Sequence, residues 1–508
     1  MSRVLFLPSG REIRVPAGVT FLEAARLAGV ELEAPCGGRG VCGACRVSLS
    51  PAPAPTGEEQ RLLSRQELDA GCRLACICRV RGDVTCCVPA VSASPKPSGH
   101  WGRSLPAPDP LVPAKPGTLG IALDLGTTTL AGAAADLGIG RLLALATDSN
   151  PCGAFGADVM SRVEASLSGE AEALTVSLRK GVIGLVGRLA TAAGGGQPRL
   201  VTVVGNPAML GILLGADLSG LAAMPFTPPV RGGEILSGEL VGLPSGADVA
   251  VLPVIGGFVG ADTIGVALAC GLDEGGPPVL AVDIGTNGEL LLATGGRILA
   301  CSCAAGPALE GGRISCGMRA VSGAVAGALL EDGELRLDVL GGGEPRGVCG
   351  SGLVDLAAAM LALGVLSEAG VLAGGRFQVG GRISLTQRDV RELQLAKGAM
   401  RAGAEILLRE AGLPGWGEVA ELLLAGAFGN YLRPASALRI GLIPPVGEGG
   451  EGIRRVGNAA LEGALRALLS QLEWERALAL ARLIEHVELG AAPGFQALFA
   501  DSMALAPR

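Results

Sequence analysis

The stretch from Pro35 to Cys45 constrains this chain more than any other part of its sequence. It reads Pro-Cys-Gly-Gly-Arg-Gly-Val-Cys-Gly-Ala-Cys, so Cys36, Cys42 and Cys45 are separated by five and then two residues. Glycine allows a loop to turn its backbone N–H groups inward, and three cysteine thiolates can then converge on one inorganic centre. The stretch therefore predicts a cysteine-ligated metal or cluster site.

The spacing of these cysteines is close to that of plant-type ferredoxins, in which a fourth, later cysteine completes a 2Fe–2S cluster. Five cysteines lie in or slightly beyond the region where that ligand is expected: Cys72, Cys76, Cys78, Cys86 and Cys87. A zinc site would usually need a second Cys-x-x-Cys pair or histidine, and the chain has only His100 and His486. The loop therefore indicates a 2Fe–2S cluster.

One of the later cysteines is favoured by a resemblance. Residues 73–76 read Arg-Leu-Ala-Cys, which resembles the signature that carries the last cluster ligand in vertebrate- and bacterial-type ferredoxins. Those ferredoxins share the five-then-two spacing. The resemblance therefore favours Cys76 as the fourth ligand over Cys72 and Cys78.

Residues 1–90 have the element order of a β-grasp ferredoxin domain. Thr20 and Glu23 form a capping-box pattern that predicts the start of a helix. The predicted elements are, in order, a strand, a second strand, that helix, the cysteine loop, a strand, a short helix and a last strand: 4–7, 13–15, 20–28, 35–45, 46–49, 58–70 and 83–88.

The bulk properties exclude several classes of protein. The net charge of −7 and the absence of basic runs argue against a nucleic-acid partner. Since no signal sequence and no run of about 18 apolar residues is present, we expect a cytoplasmic protein without a membrane segment. Fourteen cysteines in such a protein indicate metal or redox chemistry rather than disulfides.

Residues 91–118 contain seven prolines. A segment of this composition cannot bury a core, and it predicts a semi-extended linker that lets the ferredoxin domain move. A passive spacer would have the same composition.

Two stretches beyond the linker share one pattern. Residues 120–129 read Gly-Ile-Ala-Leu-Asp-Leu-Gly-Thr-Thr-Thr, and residues 279–289 read Val-Leu-Ala-Val-Asp-Ile-Gly-Thr-Asn-Gly-Glu. Each is an apolar strand that ends in an aspartate and a Gly-Thr turn. Such a turn offers N–H groups and hydroxyls to a phosphate, and its aspartate, Asp124 or Asp283, can hold Mg²⁺, often through water. No G-x-x-x-x-G-K-[ST] motif occurs, so a P-loop ATPase is excluded.

Two such hairpins resemble the acetate and sugar kinase, heat-shock protein and actin (ASKHA) superfamily, in which two lobes enclose ATP. The resemblance implies a strand and a glycine turn that pack on the adenosine, and residues 421–430 match it with Ala-Gly-Ala in place of Gly-Gly-Gly. We therefore expect an α/β multidomain protein. Its expected parts are the ferredoxin domain, the linker, a middle domain with the first hairpin, and an ASKHA ATPase domain: 1–90, 91–118, 119–197 and 198–508.

A 2Fe–2S ferredoxin domain, a proline-rich linker and this ATPase core together resemble the reductive activators of corrinoid-dependent enzymes. Cys152 and Cys72 depart from that family's pattern, since glutamine and an aromatic residue are common at the two positions. The matching stretches extend over nearly the whole chain: 150–151, 156–159, 161–162, 204–206, 225–226, 306–311, 349–353, 394–399 and 441–444.

The resemblance implies that ATP drives electrons from the cluster to the Co(II) corrinoid of a partner protein, which regenerates nucleophilic Co(I). A plant-type 2Fe–2S centre has a potential near −400 mV, and each shortfall of about 59 mV costs tenfold in a one-electron equilibrium. Because the Co(II)/Co(I) couple of such partners lies lower still, binding and hydrolysis of ATP would make the transfer one-way. An upstream low-potential reductant is implied as well.

The resemblance also assigns roles to individual residues. We expect Asp124 and Asp283 to hold Mg²⁺ and water, and Gly426 to face the nucleoside. Glu289 and Glu310 are expected to position the attacking water, although a solvated carboxylate beside a glycine turn would look the same. The turns expected to cradle the phosphates contain six residues: Gly126, Thr127, Thr128, Gly285, Thr286 and Asn287.

Other functions are consistent with parts of this pattern. A sugar or acid kinase would leave the cluster without a role, and 2-hydroxyacyl-CoA dehydratase activators lack an N-terminal ferredoxin domain. A ferredoxin fused to a nucleotide-sensing scaffold, or the activator ATPase of another low-potential reductase, remains open. Leucines between 459 and 488 predict amphipathic helices for core packing, or else for a homodimer.

Overall fold

The computed structural model describes residues 1–30, 32, 38, 40, 45–63, 65–88, 103–331, 333–381, 383–447 and 452–507. The described residues form two compact units. One contains the residues up to 88 together with 149–181, and the other contains 103–148 and 182–507. In the described part of the chain, no helix is both long and apolar enough to span a bilayer.

The N-terminal domain contains one five-stranded mixed sheet with the strand order β2-β1-β5-β3-β4. β1 and β2 form the predicted hairpin, and β5 pairs with β1 in parallel. This arrangement is the expected β-grasp. Its strands are β1 Ser2–Leu7, β2 Arg11–Val15, β3 Arg46–Ser50, β4 Cys72–Leu74 and β5 Val84–Cys87.

Among the described residues of this domain, three helices accompany the sheet: α1 Phe21–Ala28, α2 Gly57–Leu62 and α3 Arg65–Asp69. α1 begins with the predicted capping box, in which the hydroxyl of Thr20 accepts from the N–H of Glu23 and the Glu23 carboxylate accepts from the N–H of Thr20. The helix predicted over 58–70 is present as two helices, because Leu63 adopts an extended conformation between them.

A second sheet has six strands in the order β10-β11-β9-β6-β7-β8. Its strands are β6 Leu119–Leu125, β7 Thr129–Asp136, β8 Arg141–Ser149, β9 Leu200–Gly205, β10 Glu234–Ser237 and β11 Asp248–Val251. The helices along this part of the chain are α4 Val159–Ala165, α5 Ala171–Ala192, α6 Pro207–Leu214 and α7 Ala261–Cys270.

This second sheet crosses the domain boundary that we expected between residues 197 and 198. β6 pairs in parallel with β9, with Leu125 opposite Gly205. The expected boundary therefore lies inside one sheet. The glycine-rich stretch before residue 197 is a loop that returns the chain to its own sheet, which composition does not reveal.

A third sheet has six strands in the order β21-β20-β12-β13-β14-β22, and two small sheets accompany it. The strands are β12 Val279–Ile284, β13 Gly288–Thr294, β14 Arg297–Cys303, β15 Ala324–Glu331, β16 Glu334–Val339, β17 Gly347–Val348, β18 Arg376–Gly380, β19 Ile383–Thr386, β20 Glu421–Ala425, β21 Ile453–Gly457 and β22 Ile484–His486. The helices are α8 Gly350–Ala362, α9 Gln387–Glu410, α10 Gly426–Tyr431, α11 Pro434–Arg439, α12 Ala459–Leu469, α13 Gln471–Leu483 and α14 Phe495–Ser502.

The second and third sheets repeat one topology. β6 pairs antiparallel with β7 and parallel with β9, and β12 pairs antiparallel with β13 and parallel with β20 in the same way. The helices that follow β11 and β21, α7 and α12, pack against each other. A side chain at Gly463 of α12 would collide with the carbonyl of Gly265 in α7. The two sheets are therefore the two lobes of the expected ASKHA core, joined through these helices.

Part of the expected linker belongs to this core. The N–H of Asp109 donates to the carbonyl of Leu469 (2.8 Å), and the N–H of Gln471 donates to the carbonyl of Asp109 (2.6 Å). Arg466, buried in α12, donates to the carbonyl of Ser104 (2.8 Å). Ser104 and Asp109 are therefore bonded to α12 and the start of α13, and Gly117 and Thr118 are bonded to Asp136 and Leu137, so this part of the chain is not a free tether. Residues 91–102 lie outside the described residues.

Candidate functional site

The two predicted phosphate hairpins are present, one in each lobe. Asp124 lies near the end of β6 and Asp283 near the end of β12. The charge of Asp124 contributes to the pKa shift of Asp283, so the two carboxyl groups lie in one electrostatic neighbourhood. The repeat seen in the sequence therefore corresponds to two equivalent strand ends, that of β6 in one sheet and that of β12 in the other, which lie close together.

A single carboxylate connects the two turns. Oε2 of Glu310 accepts a hydrogen bond from the hydroxyl of Thr128 in the first hairpin (2.8 Å) and from the hydroxyl of Thr286 in the second (2.7 Å). Hydrogen bonds to a charged acceptor are stronger than neutral ones. The structure thus brings the two predicted turns together on Glu310.

The remaining turn residues support this geometry. In the second turn, the N–H of Gly285 donates to the carbonyl of Asn287 (2.9 Å). In the first turn, a Cβ at Gly126 would lie 2.6 Å from the carbonyl oxygen of Thr129, so only glycine fits there. The hydroxyl of Thr127 accepts from the side chain of Asn206 (3.1 Å).

Gly426 is the first residue of α10 and has a φ of +80°, a conformation that favours glycine. A Cβ at this position would collide with Oδ1 of Asp283. The third predicted element therefore brings its backbone directly to the aspartate of the second hairpin.

Two asparagines of the site were not predicted. Asn458 donates from Nδ2 to Oδ2 of Asp124 (2.8 Å), and Asn206 bonds Thr127. Each caps the start of a helix, α12 or α6. Each is the last residue of the same tripeptide, Val-Gly-Asn, which occurs at 204–206 and 456–458. This repeat after a strand is the signal from which they could have been found.

The cleft also contains Asp262, in the first turn of α7, which was not predicted either. Burial raises the pKa of Asp124 and of Asp283 to about 7 and that of Asp262 to about 6. Burial, followed by the charges of Asp262 and Asp283, raises the pKa of Glu289 well above its usual value. Neighbouring acids that resist ionisation together favour a bound cation.

The carboxyl groups fit a magnesium ion that is held mainly by water and phosphate. Among the described residues, no three His, Cys, Asp or Glu side chains are placed to ligate one metal ion directly. Mg²⁺ keeps several of its waters and usually takes one or two carboxylates together with substrate phosphates. Asp124 and Asp283 are the carboxylates that could contact such an ion, directly or through its waters.

At the cluster site, the structure places two of the predicted ligands together. Sγ of Cys45 and Sγ of Cys76 are 3.2 Å apart, and the N–H of Cys76 points at Sγ of Cys45 (3.4 Å). A backbone N–H directed at a thiolate sulphur is a feature of iron–sulfur sites. Cys36 and Cys42 lie outside the described residues. Two converging thiolates fit the predicted cluster.

The other cysteines considered for the fourth cluster ligand lie in different environments. Cys72 is buried in β4 opposite Ser48 of β3. Burial raises the pKa of Cys78 to about 11 and that of Cys86 to about 12. The short distance between Sγ of Cys45 and Sγ of Cys76 is the observation that favours Cys76.

Models of known protein families match three successive parts of the chain. Residues 5–81 match a family model described as a 2Fe-2S iron-sulfur cluster binding domain. Residues 119–275 match one described as the RACo middle region, and residues 278–508 match the C-terminal domain of RACo, the ASKHA domain. The match at 119–275 covers the whole of the first lobe, in agreement with the sheet that crosses residue 197.

Individual relatives carry related names. The corrinoid activation enzyme RamQ of Eubacterium limosum is 32% identical over 412 residues, which are 74% of this chain and 68% of that protein. The [Co(II) methylated amine-specific corrinoid protein] reductase of Methanosarcina barkeri is 30% identical over 262 residues, 47% of this chain and 48% of that protein.

A solved structure shares the whole fold. The reductive activator for corrinoid,iron-sulfur protein superposes with a TM-score of 0.70 at 24% identity, covering 99% of this chain and 98% of that one. The ferredoxin domain, the two lobes and the extent of the sequence matches agree with one another. This chain belongs to the family of reductive activators of corrinoid-dependent enzymes.

Proposed function

We propose that this protein is an ATP-dependent reductive activator that passes low-potential electrons to the Co(II) corrinoid of a partner protein and so regenerates Co(I). The family supports this proposal, since its named members activate or reduce corrinoid proteins. A 2Fe–2S cluster, when bound, supplies one electron at a time at low potential. An upstream reductant restores it, and the reaction takes place in the cytoplasm.

The observation that carries the proposal is the position of Glu310 between the two turns. Its carboxylate accepts from Thr128 of one lobe and Thr286 of the other. Hydroxyls that converge in this way are suited to the oxygens of a phosphate. ATP bound there would contact both lobes, so its binding and hydrolysis would change how the lobes are held together.

The acidic groups have separate roles in this proposal. Asp124, oriented by Asn458, and Asp283, oriented by the turn at Gly426, hold the waters of Mg²⁺. Glu310 positions the attacking water once phosphate oxygens have replaced it on the two threonines. Glu289, which accepts from the hydroxyl of Ser302 (3.3 Å), is the second group that can order water.

ATP turnover by the reduced protein tests the proposal. A Co(II) corrinoid protein should stimulate hydrolysis severalfold over the basal rate, and the Co(I) form of the same protein should not. The variant Thr286→Val keeps the shape of the side chain and removes one of the two hydroxyls. It should reduce the stimulated rate by about 10- to 100-fold, as loss of a charge-assisted hydrogen bond predicts.

Thr294→Val is the matched control, because Thr294 lies at the far end of β13 from the turn. It should leave the stimulated rate unchanged. If hydrolysis does not respond to the oxidation state of any corrinoid protein, the function is not corrinoid activation, and a nucleotide-sensing scaffold or the activator of another reductase becomes the better explanation.

A further inference from the structure

Arg26 of the ferredoxin domain contacts a distant part of the chain. Arg26, in the last turn of α1, places Nη1 2.9 Å from Oε1 of Glu170. Its Nη2 donates to the carbonyl of Ala154. Its guanidinium carbon lies 4.3 Å from the centre of the Phe155 ring. The segment 149–181, which contains all three partners, belongs to the same compact unit as the ferredoxin domain.

The contact uses the properties that distinguish arginine from lysine. A planar guanidinium can donate along its edge and stack its face on an aromatic ring at the same time. The side chain of Arg26 is only 18% exposed, whereas that of Glu170 is 41% exposed. The arginine is therefore largely enclosed by its partners, and the ion pair lies at the rim of the contact.

The same face of α1 borders the cysteine loop. Leu22 lies one helical turn before Arg26 and therefore on the same face of the helix. Its Cδ2 atom is 3.3 Å from the place where a Cβ of Gly38 would be, and Cβ of Cys76 is 3.9 Å from that place. Arg26 therefore lies on the face of α1 that, one turn earlier, contacts the cysteine loop.

We propose that Arg26, Ala154, Phe155 and Glu170 form a latch, the Arg26 latch, which holds the ferredoxin domain in a resting position. An acceptor protein reaches this side of the domain only after the latch opens. The proposal rests on the proposed function, because it assumes that the cluster gives its electron to a protein. A partly exposed ion pair and a cation–π contact together are expected to favour the closed form by about tenfold.

Hydrogen exchange of the cluster-containing protein tests the latch itself. In Arg26→Ala, backbone amides between 154 and 170 should exchange about tenfold faster than in the wild type. Arg61→Ala, which removes an arginine of the same domain that is 75% exposed, should change nothing. In the double variant Arg26→Glu with Glu170→Arg, the same amides should exchange more slowly than in Arg26→Glu alone or in Glu170→Arg alone. Unchanged exchange in Arg26→Ala, or no recovery in the double variant, would overturn the latch.

Electron transfer to a test acceptor examines the function of the latch. The reduced protein gives one electron to the haem iron of oxidised cytochrome c, which is protein-sized, or to ferricyanide, which is small. Arg26→Ala should raise the rate with cytochrome c by about the factor measured in exchange and leave the rate with ferricyanide unchanged. Equal effects on both acceptors, or no effect on cytochrome c, would show that the latch does not keep acceptor proteins from this side of the domain, and would overturn the proposal. No corrinoid protein takes part, so failure of the proposed function leaves this result intact.

Discussion

Replacing Asp283 by asparagine should stabilise the nucleotide-free protein while it abolishes ATP turnover. The pKa of this carboxyl is about 7 in the folded protein, against an ordinary value of 3.8, and the largest cause is burial, followed by the charges of Asp124 and Asp262. Between pH 4 and pH 7 the folded state therefore binds more protons than the unfolded state, so stability falls as pH rises through this window and stays low above it.

The size of the effect follows from the shift. The difference between about 7 and 3.8 corresponds to roughly 4 kcal/mol, which is an upper value because Asp283 is partly accessible to solvent. Asparagine keeps the volume and carries no charge at any pH. The variant Asp283→Asn should therefore exceed the wild type in stability by up to ~4 kcal/mol at pH 8, and the difference should fade as the pH approaches 4.

Thermal unfolding of the ATPase core at pH 8 and at pH 5, without nucleotide, measures this difference. The transition of Asp283→Asn should lie several degrees above that of the wild type at pH 8, and the gap should be less than half as large at pH 5. Mg-ATP should raise the transition of the wild type and not that of the variant. Asp338→Asn, an exposed position on β16, is the control and should change little at either pH. A variant that is less stable at pH 8, or a difference independent of pH, would show that burial of the Asp283 carboxylate does not destabilise the folded protein.

Three further outcomes are expected. Glu310→Gln, which keeps the volume but loses the charge, should lower the kcat of ATP hydrolysis by about 10- to 100-fold with little change in KM, as steady-state kinetics would show. Affinity for Mg-ATP, measured by calorimetry, should weaken by about 10- to 100-fold between pH 8 and pH 6, because both hairpin aspartates have a pKa of about 7 and must ionise. Cys76→Ser should lose or alter the visible and EPR spectra of the cluster, while Cys72→Ser and Cys78→Ser should keep them; the reverse pattern would assign the fourth ligand elsewhere.

Local patterns in the sequence predicted most of the elements that form the sites. The capping box at Thr20, the hairpins after Asp124 and Asp283, and the strand before Gly426 are all present, because each depends on residues close together in the chain. The choice of Cys76 relied on a family signature, and the structure places this cysteine beside Cys45.

The contacts that the sequence did not reveal join residues that are far apart in the chain. The contact of Asn458 with Asp124 joins positions 334 residues apart, and Glu310 meets Thr128 across 182 residues. The parallel pairing of β6 with β9 likewise leaves no periodic mark at the boundary that we placed near residue 197. Composition suggested a free linker over 91–118, but the backbone bonds that hold Asp109 to the core do not depend on side-chain type.

In the proposed function, ATP makes the transfer of electrons to cobalt possible. The most direct measurement mixes the reduced protein with a Co(II) corrinoid protein under anaerobic conditions, with and without Mg-ATP, and follows the absorbance of Co(I). We expect Co(I) to accumulate only with Mg-ATP, and we expect Asp283→Asn to prevent this while the cluster spectrum stays intact. Equal amounts of Co(I) with and without Mg-ATP, or none in either case, would contradict it.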